Sequence, residues 1–188
     1  MARITLIGID VGTTATKAVL IDEHGARLDG FVHAHPTSRP SHGYAEQDPD
    51  DWMAGVLGAL AAFGKDHDLT GLQAIGICSQ VNTHVFVDAS GAPLLPAIIW
   101  QDSRSAQDAA ALEAQTSPEQ KTAWFGAPIP IDASHALSRM AHIRRVRPDL
   151  YAQTAHVLLP KDYCVLQLTG TAISDPVSAV GLVNASGY

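Results

Sequence analysis

Ile4-Thr5-Leu6-Ile7-Gly8-Ile9-Asp10-Val11-Gly12-Thr13-Thr14-Ala15-Thr16-Lys17-Ala18-Val19-Leu20-Ile21-Asp22 decides how the rest of the chain is read. Ile4 to Ile9 is a short apolar run rich in β-branched residues, which predicts a strand buried on both faces. Asp10 ends it. Gly12 follows, expected to turn the chain through a positive φ, then come hydroxyls at Thr13 and Thr14 and a cation at Lys17. A second apolar run, Ala18 to Ile21, starts at once. The order is strand, tight polar turn, strand. The turn gathers backbone N–H groups, two hydroxyls, a carboxylate and an amine, a set suited to a nucleotide phosphate with its Mg²⁺. The N–H groups and hydroxyls would hold oxygens, Lys17 would balance charge, and Asp10 would orient metal-bound water. The GxxxxGK[ST] spacing of a Walker loop is absent, and a strand follows instead of a helix. The same residues also fit a plain β-hairpin whose threonine hydroxyls satisfy their own backbone.

Length and composition set the frame. The 188 residues suit one domain or two small ones, and a chain of this size buries roughly 70% of its unfolded surface. A formal net charge of −7 argues against nucleic acid or an anionic membrane as a main partner. Arg144, Arg145 and Arg147 make one basic cluster, read as a solvated helix face. Cys78 and Cys164 lie far apart and are read as buried thiols in a reducing cytosol. No signal peptide is visible, because Asp10 interrupts the N-terminal apolar run, and no apolar run is long enough to span a membrane. His33, His35 and His42 sit close in sequence without a further ligand cluster and are not read as a metal site.

Along the chain, Asp22-Glu23-His24-Gly25 is a turn, and Ala26 to Ala34 a third strand that completes an antiparallel meander. Asp48 is a natural N-cap and Pro49 a natural first helical residue; Trp52, Val56, Leu60 and Phe63 then recur at helical spacing as a core stripe. Leu72 to Ser79 is a buried strand, and Val85-Phe86-Val87 another. Here the sequence echoes itself: Ile7-Gly8-Ile9-Asp10 with Ile75-Gly76-Ile77-Cys78, and Val19 to Ala26 with Val85 to Ala92. Either one strand–turn–strand device is used twice, or two hairpins converge on one pattern. A short strand ends at Trp100, and Asp102 or Ser103 caps a helix to about Gln115. Thr116 to Pro130 is irregular apart from a short helix near Pro118. Asp132-Ala133-Ser134 starts a helix with Leu137, Met140, Ile143 and Val146 on one face, closed by Pro148. Val157 to Leu159 is a strand, Pro160 opens a helix capped by Gly170, and Pro176 starts a last turn before the tail Val183 to Tyr188.

Asp10 to Thr14 resembles the phosphate-1 motif of the sugar kinase, actin and Hsp70 ATPase superfamily. The ordered set of short segments resembles the N-terminal domain of the FGGY family of carbohydrate kinases, in its xylulokinase-like branch. Those segments are Gly8 to Thr14, Glu46-Gln47-Asp48-Pro49 with Trp52, Ile75-Gly76-Ile77, Gln80, Pro96 to Arg104, Leu158 to Tyr163, Leu168-Thr169-Gly170 and Ser174-Asp175.

The resemblance implies an α/β, ribonuclease-H-like fold of the actin/hexokinase/Hsp70 class, a mixed sheet with packed helices. It implies a two-domain kinase with a cleft, of which residues 1–188 are the truncated sugar-binding N-terminal domain. The ATP-binding domain and the catalytic base would then lie beyond Tyr188, so no catalytic residue is expected in this chain and the chain alone is expected to be inactive. ATP and Mg²⁺ are the implied cofactors, with Asp10, Gly12, Thr13, Thr14 and Lys17 at the phosphates and Asp10 holding the metal through water. Gln80, Val81 and Asn82 would touch the sugar, and Trp100 and Asp102 would wall its pocket; on the residues alone, these are also a turn, a core tryptophan and a helix cap. Partners would be a ketose or polyol and the C-terminal domain, with a homodimer allowed, no nucleic acid and no membrane, in the cytoplasm. Xylulokinases of the family carry Met-His at Val81-Asn82, glycerol kinases carry Arg-Glu there, and the family's Lys and Trp after Pro130 are Ala136 and Arg139 here. Asp132 and Ser134 are expected to supply the missing polar contacts to the sugar. A non-catalytic sugar- or nucleotide-binding module, or an actin-like assembly protein, is the alternative.

Overall fold

The computed structural model describes residues 3–178. The expected meander forms the centre. β1 (Thr5–Val11) pairs antiparallel with β2 (Ala15–Asp22), and β2 pairs antiparallel with β3 (Arg27–Ala34). A two-residue strand β4 (Glu46–Gln47) leads into helix α1 (Pro49–Asp66), after which β5 (Leu72–Ser79) returns parallel to β1. The result is a mixed sheet of order β3-β2-β1-β5, the ribonuclease-H-like arrangement.

α1 forms where capping chemistry and apolar spacing agree. The Asp48 carboxylate accepts the Asp50 N–H at 3.0 Å, Pro49 opens the first turn, and Asp50 and Asp51 oppose the positive end of the helix dipole. Trp52, Val56 and Phe63 are buried against Ile7, Ile9, Val11, Ala18 and Leu20 of the sheet, with Leu60 half-buried beside them. Gly55 lets the helix approach β2 closely, since a Cβ there would stand 2.6 Å from Thr16 Cβ.

The opposite sheet face departs from the double burial expected of β1 and β5. β1 alternates buried with half-buried residues, and β5 is largely exposed, Ile75 and Cys78 included. Among the described residues no element of comparable apolar face covers that side, so Cys78 is an exposed thiol and only Cys164 is buried. The sequence echo has a structural counterpart in its first half: Ile7, Gly8, Ile9 and Asp10 pair with Ile75, Gly76, Ile77 and Cys78 across the parallel ladder. It also holds at the two turns, where Asp22 and Asp88 each accept two backbone N–H groups and Gly25 and Gly91 take φ of 78° and 84°. It fails as a repeated hairpin. β6 (Val85–Val87) pairs with β8 (His156–Leu158) and not with β5.

The remaining elements flank this sheet. β7 (Ala97–Ile98) pairs with β4, and the helices are α2 (Ala106–Gln115), α3 (Pro118–Phe125), α4 (Ala136–Val146), α5 (Pro148–Gln153) and α6 (Pro160–Thr169). α2 starts later than expected, with Ser105 at the N-cap position but making no side-chain cap bond, because Asp102 turns its carboxylate back onto Arg104. α3 is the expected short helix, with a reciprocal Ser117–Gln120 capping box. α4 begins at His135 instead of Asp132, and its buried face carries Ala136, Ser138, Arg139, His142 and Ile143, while Val146 is exposed. Pro148 does not merely end α4; it opens α5 as a first-turn proline. Two arginines of the basic cluster are paired, Arg145 with Asp108 and Arg147 with Asp149, instead of simply solvated. α6 ends at Gly170 with φ 72°, as expected, and a turn follows Pro176; Val183 to Tyr188 lie outside the described residues.

Replacing Gly55 by Ala should force α1 away from Thr16 and cost about 1–3 kcal/mol, the usual range for overpacking. Urea unfolding of the two proteins measures the difference, and an unchanged midpoint would show that helix and sheet can shift apart freely.

Candidate functional site

The polar turn sits at the end of the β1–β2 pair. The Gly12 N–H donates to the Ala15 carbonyl at 3.1 Å, which closes the turn. Gly12 does not use a positive φ, contrary to expectation. It is needed for space: a Cβ would meet Ala15 O at 3.1 Å and the Asp10 carboxylate at 3.6 Å. Asp10 and Lys17 are direct cross-strand partners, so both leave the sheet at neighbouring positions on one face, without an ion pair between them among the described residues. Both line a shallow depression of about 650 Å³ on the open sheet face, floored by Gly8 and Gly76. The Cys78 thiol lies against Asp10 Oδ1 at 3.8 Å. Asp10 is half-buried, and Lys17 and Thr14 are exposed.

A single buried amide joins this turn to the segment expected to face the sugar. Gln47, 2% exposed, donates from Nε2 to Thr13 O at 2.6 Å and to Thr37 Oγ1 at 2.9 Å. Its Oε1 accepts from Trp52 Nε1 at 3.1 Å and from Gln80 Nε2 at 2.8 Å. Gln80 is thus buried, and its own Oε1 has no partner among the described residues. Trp100 closes a second link, with its indole N–H donating to Thr13 Oγ1 at 3.1 Å and its backbone N–H to Thr83 Oγ1 at 3.2 Å.

Val81 is exposed, and Asn82 adopts φ 48°, which asparagine tolerates better than most side chains. Asn82 Nδ2 donates to Ser134 Oγ at 3.0 Å, and Ser134 Oγ donates to Asp132 Oδ1 at 2.7 Å. Asn82, Ser134 and Asp132 therefore form one polar chain at a cavity of about 410 Å³ whose other walls include Phe125, Ile129 and Val157. Asp102 stands apart from that chain. It is 3% exposed, and its oxygens take the Ala45 N–H at 2.6 Å and the Arg104 guanidinium at 2.7–3.0 Å. Arg104 also reaches Glu46 at 2.7 Å and lies over the Tyr44 ring at 3.8 Å.

Sequence reasoning names Gln47 only within a family segment beside a helix cap and Arg139 only as a departure from the family pattern, and gives neither a place in the site. Arg139, 0% exposed, donates to the carbonyls of Asn82, Ile98 and Ile99 and to His84 Nδ1. Burial brings its guanidinium down to about 10.

The FGGY family of carbohydrate kinases, N-terminal domain, matches residues 5–186. The chain belongs to this family. It is 34% identical over 175 residues to a xylulose kinase of Escherichia coli (strain K12), covering 93% of this chain and 35% of that protein. It is 29% identical over 184 residues to a gluconokinase of Bacillus subtilis (strain 168), covering 97% of this chain and 36% of that protein. A solved FGGY-type relative described as a xyloylose kinase from Brucella ovis superposes with a TM-score of 0.86 at 32% identity, over 94% of this chain and 37% of that one. The chain thus spans about 35% of the length of the curated relatives it matches.

Burial holds the imidazoles of His35, His84 and His135 below the ordinary value of 6.5, His84 furthest because it is the most deeply buried of the three, with repulsion from Arg139 and His135 added. Below 6.5 the unfolded chain binds protons that these folded imidazoles refuse, so stability present above that pH is lost as pH falls. The urea midpoint should drop between about pH 7.5 and about pH 5.5, a window in which free histidine titrates and carboxylates stay ionised. His84→Gln should flatten that drop; an equally steep drop would remove His84 as a contributor.

Proposed function

We propose that this chain is the sugar-binding N-terminal part of an ATP-dependent kinase. The kinase would transfer the γ-phosphate of ATP to a hydroxyl of a xylulose-like ketose or a polyol. The observation that carries this is the hydrogen-bonded connection between the polar turn and the Gln80–Asn82 segment, through Gln47 and through Trp100 and Thr13. A phosphate turn tied rigidly to a second polar pocket is what phosphoryl transfer needs, because that reaction is mostly positioning and charge neutralisation. The names of the relatives, xylulose kinase above all, agree with this substrate class.

The turn fits a phosphate and its metal. Asp10 is half-buried, and its carboxylate is engaged among the described residues by the weak thiol of Cys78 and is in no ion pair with Lys17 on the facing strand, which leaves carboxylate oxygen for metal-bound water. Mg²⁺, when bound with ATP, would supply charge neutralisation at the phosphate oxygens. In this reading Thr13 and Thr14, at the tip of the turn beside the depression on the open sheet face, would offer hydroxyls and backbone N–H groups, the Thr13 hydroxyl while accepting from Trp100, and Lys17 would add a cation. At the other pocket, Asn82, Ser134 and Asp132 offer donors and acceptors for sugar hydroxyls, with Trp100 beside the turn. The base that takes the hydroxyl proton and most of the adenine site belong, in this proposal, to polypeptide outside residues 1–188. Two free thiols suit a cytoplasmic setting.

ADP release by the intact protein on a panel of ketoses and polyols is the direct test, with the 188-residue chain alongside. The intact protein should turn over a xylulose-like ketose and the chain should not. Asp10→Asn or Lys17→Ala should lower kcat by about 10²–10³-fold, as for other lost charge-stabilising groups, with little change in sugar KM. Saturable sugar binding without phosphorylation would replace the kinase by a binding module, and turnover by the chain alone would place the base within it.

A further inference from the structure

Arg139 is an unusual occupant of a core. It is 0% exposed, and among the described residues its hydrogen bonds all go to neutral acceptors. Each acceptor lies on a segment that carries a candidate site residue. Nη1 reaches the Asn82 carbonyl, His84 Nδ1 at 2.7 Å and the Ile98 carbonyl at 2.8 Å, while Nη2 reaches the Ile99 carbonyl at 2.6 Å. Ile98 and Ile99 run directly into Trp100. Three acceptors share the two Nη1 hydrogens, so one bond is three-centred. The guanidinium thus holds the left-handed Asn82 turn and the end of β7 against α4.

A guanidinium has donors and no acceptor, so the contact with His84 fixes the imidazole. Nδ1 must accept, and the ring proton must sit on Nε2. Among the described residues Nε2 has no protein partner, and it is not one of the enclosed polar atoms that lack one. His84 lines the same cavity as Asn82, Asp132 and Ser134. The groups around the ring are Arg139 and His135 from α4 and its N-cap, with Asp132 and, from α6, Asp162 on the same cavity. Asp162 is already paired with Lys161, and Asp132 is not paired with a cation. Arg139, buried behind this wall, spends both Nη1 hydrogens and one on Nη2 on these neutral acceptors, and its Nε has no partner among the described residues. Among the described residues, the cavity is lined by the Asp132 and Asp162 carboxylates and by no lysine or arginine, so a sugar acid there would meet negative charge.

We propose that Arg139 and His84 form a positioning pair for the substrate cavity, in which Arg139 locks the ring and His84 gives its Nε2–H to an oxygen of a neutral ketose or polyol. The ligand half of this rests on the kinase function proposed above; the locked imidazole does not. His84 touches the sugar, and Arg139 acts through His84 and the Asn82 backbone.

Selective ¹⁵N-histidine labelling of the intact protein tests the lock, with His84→Gln identifying the signal. The His84 ring should be protonated at Nε2, bare at Nδ1, and should not titrate between about pH 5.5 and about pH 8. Arg139→Met removes the donor that fixes Nδ1 as acceptor, so the ring should no longer be confined to the Nε2–H tautomer and the ketose KM should rise. Arg139→Lys keeps a donor-only cation and should leave the proton on Nε2, so a ring that changes tautomer in that variant would also overturn the pair. His84→Leu should raise KM for the ketose about three- to tenfold, the worth of one neutral hydrogen bond, with kcat little changed. His84→Gln keeps an N–H donor and should restore most of that loss. Gluconate should be the poorer substrate by kcat/KM. A proton on Nδ1 would overturn the pair, an unchanged KM in His84→Leu would overturn the sugar contact, and a preference for gluconate would overturn the neutral substrate class. If the wild-type protein phosphorylates no sugar, the kinase reading and the sugar contact fall together, while the tautomer still decides the pair.

Discussion

The structure depends on one fully committed amide. A glutamine side chain offers two N–H donors and two acceptor lone pairs, and Gln47 uses all of them. Its orientation is not a free choice. Trp52 Nε1 can only donate and Thr13 O can only accept, so the amide oxygen must face the tryptophan and the nitrogen the turn. Through this group the largest side chain of the α1 core, the polar turn and the Gln80 segment share one set of positions. In a buried setting a half-satisfied amide is costly, so loosening any one partner disturbs the other three.

Such hubs were not legible in the sequence, whereas the elements they join were. The β1–turn–β2 stretch, α1 and α6 could be read because cap, proline and apolar spacing all lie within a few residues. α4 could not. Its periodicity pointed to Leu137, Met140, Ile143 and Val146, yet the buried face holds Arg139 and His142. Both are satisfied by groups distant in sequence: Arg139 by carbonyls of Asn82, Ile98 and Ile99, and His142 by Asp108. No local pattern announces a polar core whose partners come from elsewhere in the chain. The mispairing of β6 has the same cause, since its partner β8 arrives only after four helices and belongs to no hairpin.

Asp102 shows how a site role implied by resemblance and a structural role meet at one carboxylate. The resemblance implies a wall of the sugar pocket, and the residues alone imply a helix cap. In the fold both oxygens are taken by the Ala45 N–H and by Arg104, whose guanidinium is shared with Glu46 and stacked on Tyr44. A sugar hydroxyl would have to displace a charge-assisted bond in a nearly dry environment to reach it. Asp132 is the opposite case: it is exposed, and its Oδ1 is engaged only by the Ser134 backbone N–H and hydroxyl. It keeps acceptor capacity where Asn82 and Ser134 already point.

This division between spent and unspent polar groups bears on how the site would work. Gln47 and Asp102, with their hydrogen-bonding capacity spent, and Arg139, buried with its Nη1 fork spent and its Nε without a partner among the described residues, lie behind the surface and fix backbone positions at Thr13, Asn82 and Trp100. Groups with capacity left, Asp10, Lys17, Asp132 and the far nitrogen of His84, lie on the two depressions. Rigid support behind open ligating groups is the arrangement that preorganises a site, because little ordering remains to be done when a ligand arrives. For phosphoryl transfer this matters more than the strength of any one contact, since the rate depends on holding the phosphate and the attacking hydroxyl in line. The precision of Thr13 relative to Asn82 is therefore the quantity that the buried network protects, and Gln47 and Arg139 are the two side chains through which it is lost.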